Sequence, residues 1–149
     1  MEHIIIREST YDDIPSLLEL LYELGRPKPQ KDNELEIFTK LLKNYMQEDD
    51  RKILVAEIEN LKIIGMVSIV FLSRLNQNTL EMYVPELIVS QNYRSNGIGK
   101  KLINFSIDLG KEKKCHRIRL ESGNQRTESH KFYKHLGFEN SSIFFTKKL

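Results

Sequence analysis

The stretch that decides the fold is residues 80–109, which read LEMYVPELIVSQNYRSNGIGKKLINFSIDL. The run from Leu80 to Val89 is β-rich but contains Pro85, and because proline removes a donor from the ladder of an interior strand, we expect a bulge there. Apolar residues then recur at helical spacing at Ile98, Leu102, Phe105 and Leu109. A helix is therefore predicted to begin directly in the glycine loop at residues 94–99 and to end near Gly110.

Upstream of this stretch, the sequence predicts two helices and a hairpin. Thr10 and Asp13 form a capping box before the first helix, and Gly25 ends that helix before a loop with two prolines. The apolar stripes of the two helices are Ile14, Leu17, Leu18, Leu21 and Leu24, then Leu35, Phe38, Leu41, Leu42 and Tyr45. The β-rich runs lie at residues 3–8, 53–58 and 63–72, and the last two are expected to form the hairpin.

Downstream, a short strand at residues 116–121 is followed by a fourth helix that ends at Gly137. Its apolar stripe is Ser129, Phe132, Tyr133 and Leu136. Residues 143–146 are predicted to close the sheet, with one more strand around Phe138. The resulting order of elements is typical of a mixed sheet covered by helices.

Composition places the chain among ordinary globular proteins. Its 149 residues suit a single domain, 1–149, and a hydrophobic fraction of 40% with a charged fraction of 30% argues against disordered and membrane-embedded classes. The single cysteine, Cys115, has no partner for an internal disulfide, and no stretch approaches the roughly 20 apolar residues that span a bilayer. We therefore expect a cytoplasmic protein that does not bind a membrane.

Charge is distributed unevenly along the chain. Residues 1–90 hold 10 Lys and Arg against 16 Asp and Glu, a net charge of −6, whereas residues 91–149 hold 13 against 5, a net charge of +8. We expect a polyanionic ligand on the basic part and a cationic amine on the acidic part. RNA is not expected as a partner, because the basic cluster at residues 111–117 has no aromatic platform beside it.

The loop Arg94-Ser95-Asn96-Gly97-Ile98-Gly99 is typical of an anion site. The first turn of a helix presents main-chain N–H groups without intrahelical partners, and glycine has no side chain to keep a phosphate at a distance. The Walker pattern is excluded because Lys101 stands where Ser or Thr is required, and the dinucleotide pattern because Leu102 replaces a third glycine. Two glycines alone also fit an ordinary turn.

Three segments occur in an order and spacing that resembles the GNAT acetyltransferases. They are Glu86-Leu87-Ile88-Val89, then Arg94-x-x-Gly97-x-Gly99, then Phe132-Tyr133-x-x-x-Gly137-Phe138. The resemblance implies an α/β (α+β) fold with a mixed, mostly antiparallel sheet of roughly six to seven strands and about four flanking helices, splayed at the cofactor site. It also implies acetyl-CoA (coenzyme A) as cosubstrate and acetyl transfer to a primary amine of a small molecule or peptide.

The same resemblance implies the residues of the site. The expected cofactor-binding residues are Leu87, Ile88, Val89, Arg94, Ser95, Asn96, Gly97, Ile98, Gly99, Lys100 and Asn124. Within this set, the loop from Arg94 to Lys100 receives the pyrophosphate. Leu87 and Val89 bond the pantetheine arm through their backbones, and Asn124 assists from the end of the next strand.

The reaction sets three chemical requirements. An amine of pKa ~10 must lose a proton, an oxyanion needs a donor, and the departing thiolate needs an acid or a stabilising hydrogen bond. Glu86, directly or through water, the main-chain N–H of Leu87, and Tyr133 are expected in these three roles. Glu81 and Glu121 are alternative bases. A solvent-facing Glu86 and a core-packed Tyr133 are the structural alternatives.

A weaker resemblance concerns the acceptor. The strings at residues 128–133 and 144–147 are similar to aminoalkylphosphonate acetyltransferases, which implies a small amine bearing an anion, with Arg26 and Lys28 bound to the phosphonate. A non-catalytic acyl-CoA sensor or partner-binding subunit with the same fold is the alternative function. No metal site is expected, because His130 and His135 are five positions apart on one helix. A homodimer is a further expectation.

Overall fold

The computed structural model describes residues 3–59 and 61–149, which divide into two compact units, one up to Arg119 and one from Leu120 onward. The strands are β1 (Ile4–Glu8), β2 (Arg51–Ile58), β3 (Lys62–Leu72), β4 (Glu81–Val84), β5 (Leu87–Val89) and β6 (Arg117–Leu120). The helices are α1 (Ile14–Glu23), α2 (Glu34–Gln47), α3 (Ile98–Glu112) and α4 (Thr127–His135). Mixed secondary structure with a six-stranded sheet confirms the predicted α/β class.

The sheet has the order β1-β2-β3-β4-β6, with β5 beside β3. The pairings β1–β2, β2–β3, β3–β4 and β3–β5 are antiparallel, and β2 and β3 form the predicted hairpin. Both of these central strands are buried along most of their length, because helices cover the sheet. Leu17 and Leu20 of α1, with Leu24 directly after it, pack with Val55 and Met66 on one face.

The start of α1 combines a cap with an ion-pair network. The capping box of Thr10 and Asp13 is present, but it opens a short 3-10 turn at Tyr11–Asp13 that leads into the helix. The Asp13 carboxylate also accepts hydrogen bonds of 2.8 and 2.9 Å from Arg7, which binds Glu57 as well. These bonds from Arg7 hold the pKa of Asp13 below its ordinary value, although burial opposes them.

Two predicted helix stripes are partly wrong. Leu35 and Leu41 of α2 are 53% and 58% exposed, and Phe105 of α3 is 42% exposed. Ile98 and Leu102 are buried as predicted, and the other buried positions of α3 are Ile103, Ser106 and Gly110. Periodicity predicted where the helices lie, but the face that each one buries depends on the sheet beneath it.

The second unit contains α4 and the chain that follows it. Residues 138–149 form no strand, so the strands predicted at residues 143–146 and around Phe138 are wrong. Ile143, Phe144 and Phe145 are all more than 60% exposed. An apolar run favours an extended chain, but a strand forms only where a neighbour supplies ladder hydrogen bonds, and none of the residues from 121 to 149 does so. Within the described ranges, every helix is too short or too polar to span a bilayer.

Candidate active site

β4 and β5 both pair with β3, and the pairing is interrupted once between them. Val70 of β3 pairs with Tyr83 of β4, and Val67 pairs with Leu87 of β5. Between these pairs, two residues of β3 (68 and 69) face three residues of the neighbouring segment (84–86), which therefore carries one extra residue. This is the bulge predicted at Pro85.

Beyond the bulge, β5 has one open edge. The N–H of Ser68 donates to Glu86 O at 2.9 Å, and the N–H of Ser90 donates to Ile64 O at 2.7 Å. Main-chain groups of successive residues point to opposite edges of a strand, so those of Leu87 and Val89 point away from β3. In the part of the chain that the structure describes, β4 pairs with β6 but β5 pairs only with β3. An extended ligand can therefore add to this edge as a strand would.

Glu86 lies in the bulge with a half-buried carboxylate. Its Oε1 accepts a hydrogen bond of 2.5 Å from the Ser68 hydroxyl, and its Oε2 accepts one of 3.1 Å from Arg26. The Glu86 N–H donates back to the Ser68 hydroxyl at 2.9 Å. The Glu86 side chain remains 23% exposed. It is fixed in position and still open to a ligand.

Tyr45 of α2 belongs to the same surroundings. Its hydroxyl donates to the main-chain oxygen of Ile69 at 2.9 Å. Burial, together with the negative charge of Glu86, raises the pKa of Tyr45 to about 12. Tyr45 therefore stays neutral at physiological pH and adds no second anion beside the carboxylate.

The glycine loop leads into α3 as predicted. Gly97 precedes the helix with φ of 79°, a left-handed conformation that suits glycine, and no side chain caps the helix. A Cβ built on Gly97 would meet no described atom within 4 Å, so the space in front of it is open. The first turn has no acidic residue. The N–H groups of Ile98, Gly99 and Lys100 are thus available to an anion.

The loop before Gly97 is held by its own polar groups. The Nε of Arg94 donates to Val89 O at 2.9 Å, and the amide of Asn96 donates to the main-chain oxygens of Tyr93 and Arg94 at 3.2 and 3.3 Å. Ser95 adopts a left-handed conformation with φ of 67°. The Arg94 contact connects the loop directly to the end of β5.

Gly65 lets α3 lie directly against the sheet. A Cβ at this position would stand 3.2 Å from Leu102 Cδ1, 3.3 Å from the main-chain oxygen of Ile88 and 3.5 Å from Ile98 Cγ2. The first turns of α3 and the backbone of β5 therefore meet over one glycine. The anion loop and the open strand edge are neighbours for this reason.

In the second unit, Tyr133 is packed between two other rings. Its ring centroid lies 5.2 Å from that of Phe132 and 5.7 Å from that of Phe138, both in edge-to-face geometry. Gly137, with φ of 92°, turns the chain so that the N–H of Phe138 donates to Tyr133 O at 3.0 Å. Burial raises the pKa of Tyr133, so its phenol stays protonated.

Asn124 lies in the turn that precedes α4. The N–H of Arg126 donates to Gly123 O at 2.9 Å and closes this turn, and His130 contacts the same oxygen at 2.8 Å through its ring nitrogen. The Asn124 side chain is exposed. Its predicted role at the cofactor stays a prediction.

A comparison with protein families decides the identity. The sequence profile described as the Acetyltransferase (GNAT) family matches residues 15–138. The chain belongs to the GNAT acetyltransferase family. The resemblance carried by the three sequence segments is thereby confirmed.

Known proteins resemble this member of the GNAT family at low sequence identity. It is 28% identical over 141 residues to an uncharacterized N-acetyltransferase of Methanocaldococcus jannaschii, covering 93% of this chain but 62% of that protein. The solved structure of a transcriptional regulator from Bacillus halodurans is 26% identical, with a TM-score of 0.89 over 99% of this chain and 100% of that one. An aminoglycoside N-acetyltransferase, AAC(6')-Iy in complex with CoA, is 20% identical with a TM-score of 0.84, covering 99% and 96%.

Glu81, one of the alternative bases, lies in an ion-pair network in this GNAT family member. Its side chain is fully buried and accepts hydrogen bonds from Arg119 and, at 2.8 Å, from Arg117. Burial opposes ionisation of Glu81, but the two guanidinium groups outweigh it and hold its pKa below the ordinary value. A carboxylate paired in this way is a poor base.

Sequence reasoning missed the partners of Glu86. Ser68 is one polar residue in a β-branched run, and Arg26 follows Gly25 in a loop 60 residues away along the chain. A serine within an otherwise apolar buried strand was a usable signal, since a buried hydroxyl requires a partner. The Arg26 contact had no signal in the sequence.

Proposed function

We propose that this GNAT acetyltransferase transfers an acetyl group from acetyl-CoA to a primary amine of a small molecule or peptide. The observation that carries the proposal is that the uncapped start of α3 meets the backbone of β5, whose other edge is open, over Gly65. The helix start suits a diphosphate, and the strand edge suits an extended amide-containing arm. The CoA complex of a protein with the same fold supports this choice of cosubstrate.

The residues present fit such a cosubstrate. The N–H groups from Gly97 to Lys100 would bind the pyrophosphate, with Arg94 at the start of the loop adding positive charge. Leu87 and Val89, whose main-chain groups face the open edge of β5, would bind the pantetheine arm. When bound, acetyl-CoA supplies an acetyl group as a thioester, which an amine can attack directly. Asn124 is proposed as a further cofactor-binding residue.

Glu86 is proposed as the base. It takes a proton from the acceptor ammonium, directly or through water, so that the neutral nitrogen forms the new C–N bond. The N–H of Leu87 donates to the carbonyl oxygen as that oxygen gains negative charge. The C–S bond then breaks and Tyr133 gives its proton to the departing sulfur. The nitrogen releases its second proton, which restores the Tyr133 phenol through water, and the proton on Glu86 leaves to solvent. Glu121, an exposed residue of the second unit, remains the alternative base to Glu86.

The first prediction tests these roles. With acetyl-CoA and a panel of primary amines, the wild-type protein is expected to release free thiol only when an accepted amine is present. Glu86→Gln and Tyr133→Phe are each expected to lower kcat by about 10²-fold, because each removes one proton transfer. The dissociation constant for acetyl-CoA, measured by calorimetry, should change little in both variants.

Glu128→Gln is the matched control, because it removes an equivalent charge from a side chain that is 88% exposed. Its kcat should equal that of the wild type. Binding of acetyl-CoA without turnover of any amine would favour the non-catalytic sensor. Undiminished kcat in both Glu86→Gln and Tyr133→Phe would refute the two catalytic assignments.

A further inference from the structure

The two oxygens of the Glu86 carboxylate have partners of different kinds. Oε1 is bound by the hydroxyl of Ser68, which is 2% exposed. Oε2 is bound by the guanidinium of Arg26, whose side chain is 47% exposed. One oxygen is therefore held from inside the sheet, and the other from a surface loop.

The Ser68 contact is the harder of the two to break. The Ser68 hydroxyl also accepts the N–H of Glu86. If Ser68 and Glu86 separated, the buried Ser68 hydroxyl would lose both the acceptor and the donor that it has in Glu86, at a cost in free energy. The Arg26 contact is an ion pair near the surface, where water solvates both charges once they separate and salt screens them. Of the two partners, Arg26 is the one that can leave.

An acceptor ammonium needs the oxygen that Arg26 covers. A base must lie within hydrogen-bond reach of the proton it takes, and Oε1 is already bound. Two cations within about 4 Å of one another repel strongly where water is partly excluded. The guanidinium and the ammonium therefore cannot both occupy the Oε2 side of Glu86.

We propose that Arg26 is a specificity-determining residue that occupies the place of the acceptor cation on Glu86 and is displaced when the acceptor binds. The inference rests on the proposed role of Glu86. Without an acceptor, Arg26 keeps the half-buried carboxylate paired. With one, it competes against amines that bring a cation and no anion. This role is opposite to the one that the aminoalkylphosphonate resemblance implies, in which Arg26 strengthens acceptor binding.

The variant Arg26→Gln tests the competition. The acceptor is n-butylamine or phenethylamine, whichever the wild type turns over faster, with saturating acetyl-CoA at low ionic strength. Loss of an exposed competing cation is expected to lower the KM for this amine by about two- to fivefold and to leave kcat unchanged. Arg26→Lys, which retains a cation, should stay close to the wild type.

Lys31→Gln is the control, because it removes the same charge from an exposed position of the segment between α1 and α2 and leaves the Arg26 contact in place. Its KM should equal that of the wild type. A higher KM in Arg26→Gln would show that Arg26 binds the acceptor, and an unchanged KM would show that no displacement occurs. An equal fall in Lys31→Gln would show a general charge effect. Turnover of 4-aminobutanoate with both monoamines inert would also overturn the inference. A wild type that acetylates no amine fails the proposed function itself, before any Arg26 variant is compared.

Discussion

Glu81 and Glu86 show how surroundings decide what a carboxylate can do. They are five positions apart on one stretch of chain, yet Glu81 is fully buried between two arginines while Glu86 is partly exposed between a serine and a loop arginine. The buried carboxylate is locked as an anion, which stabilises the fold. The partly exposed one can exchange a partner, and exchange is what a proton acceptor requires.

The variant Glu81→Gln is expected to destabilise the protein without a direct effect on catalysis. Removing a charged acceptor from two guanidinium groups should lower the free energy of unfolding by about 1.5–3 kcal/mol at pH 7. Because the folded-state pKa lies below the ordinary 4.5, this stability is present above that pH and is lost as the pH falls through the folded value. The difference between variant and wild type should therefore shrink in acid, as urea unfolding at several pH values would measure.

Glu128→Gln again serves as the control and should leave the free energy of unfolding within about 0.5 kcal/mol of the wild type. A Glu81→Gln deficit that persisted unchanged at acid pH would contradict the ion-pair assignment. If Glu81→Gln stays folded and lowers kcat more than Glu86→Gln does, Glu81 would be the better candidate for the base.

At the level of the elements, the packing of α3 against the sheet depends on one position of β3, Gly65. Gly65 leaves no room for a side chain between Leu102 and the main-chain oxygen of Ile88. A backbone atom cannot rotate out of the way as a side chain can. The position of the helix start relative to β5 is therefore fixed by the sheet.

The variant Gly65→Ala is expected to disturb both stability and cofactor binding. Overpacking should lower the free energy of unfolding by about 1–3 kcal/mol, and a shifted helix start should weaken acetyl-CoA binding. Gly110→Ala, near the other end of α3, is the control, because the one tight contact of its Cβ would be with the flexible end of Met82 at 3.0 Å. Calorimetry should show weaker binding for Gly65→Ala alone. Equal affinities of both variants for acetyl-CoA would mean that the packing of α3 against Gly65 does not determine the position of the anion loop.

At the scale of the whole molecule, local signals predicted most elements, and tertiary pairing decided the remainder. Pro85, Gly97 and Gly137 each impose a backbone geometry that the sequence alone reveals, so the bulge and two turns were predictable. The Arg26–Glu86 contact and the unpaired residues 143–146 depend on what lies opposite in space. The single domain, the cytoplasmic location and the homodimer stay predictions.

The charge of the chain also makes a prediction about the whole protein. If the basic part binds the phosphates of acetyl-CoA, the dissociation constant should rise about three- to tenfold between about 0.05 M and 0.5 M NaCl, because salt screens exposed charges. S-acetylpantetheine, which lacks the phosphates, is the control ligand and should bind with little salt dependence. Equal salt dependence for both ligands would argue against a phosphate site.

The extra residue in the bulge has a consequence for how this protein can change over evolution. Deleting any one of residues 84–86 would shift β5 by one residue, so that its side chains exchange faces and Ile88 leaves the core. The main-chain groups of Leu87 and Val89 would then point toward β3. Insertions and deletions should therefore be absent here among functional descendants. The proline loop that carries Arg26 joins two helices, so a change in its length does not exchange the faces of a strand. New acceptor preferences should arise through changes in the length of that loop, while the strand beside it stays constant.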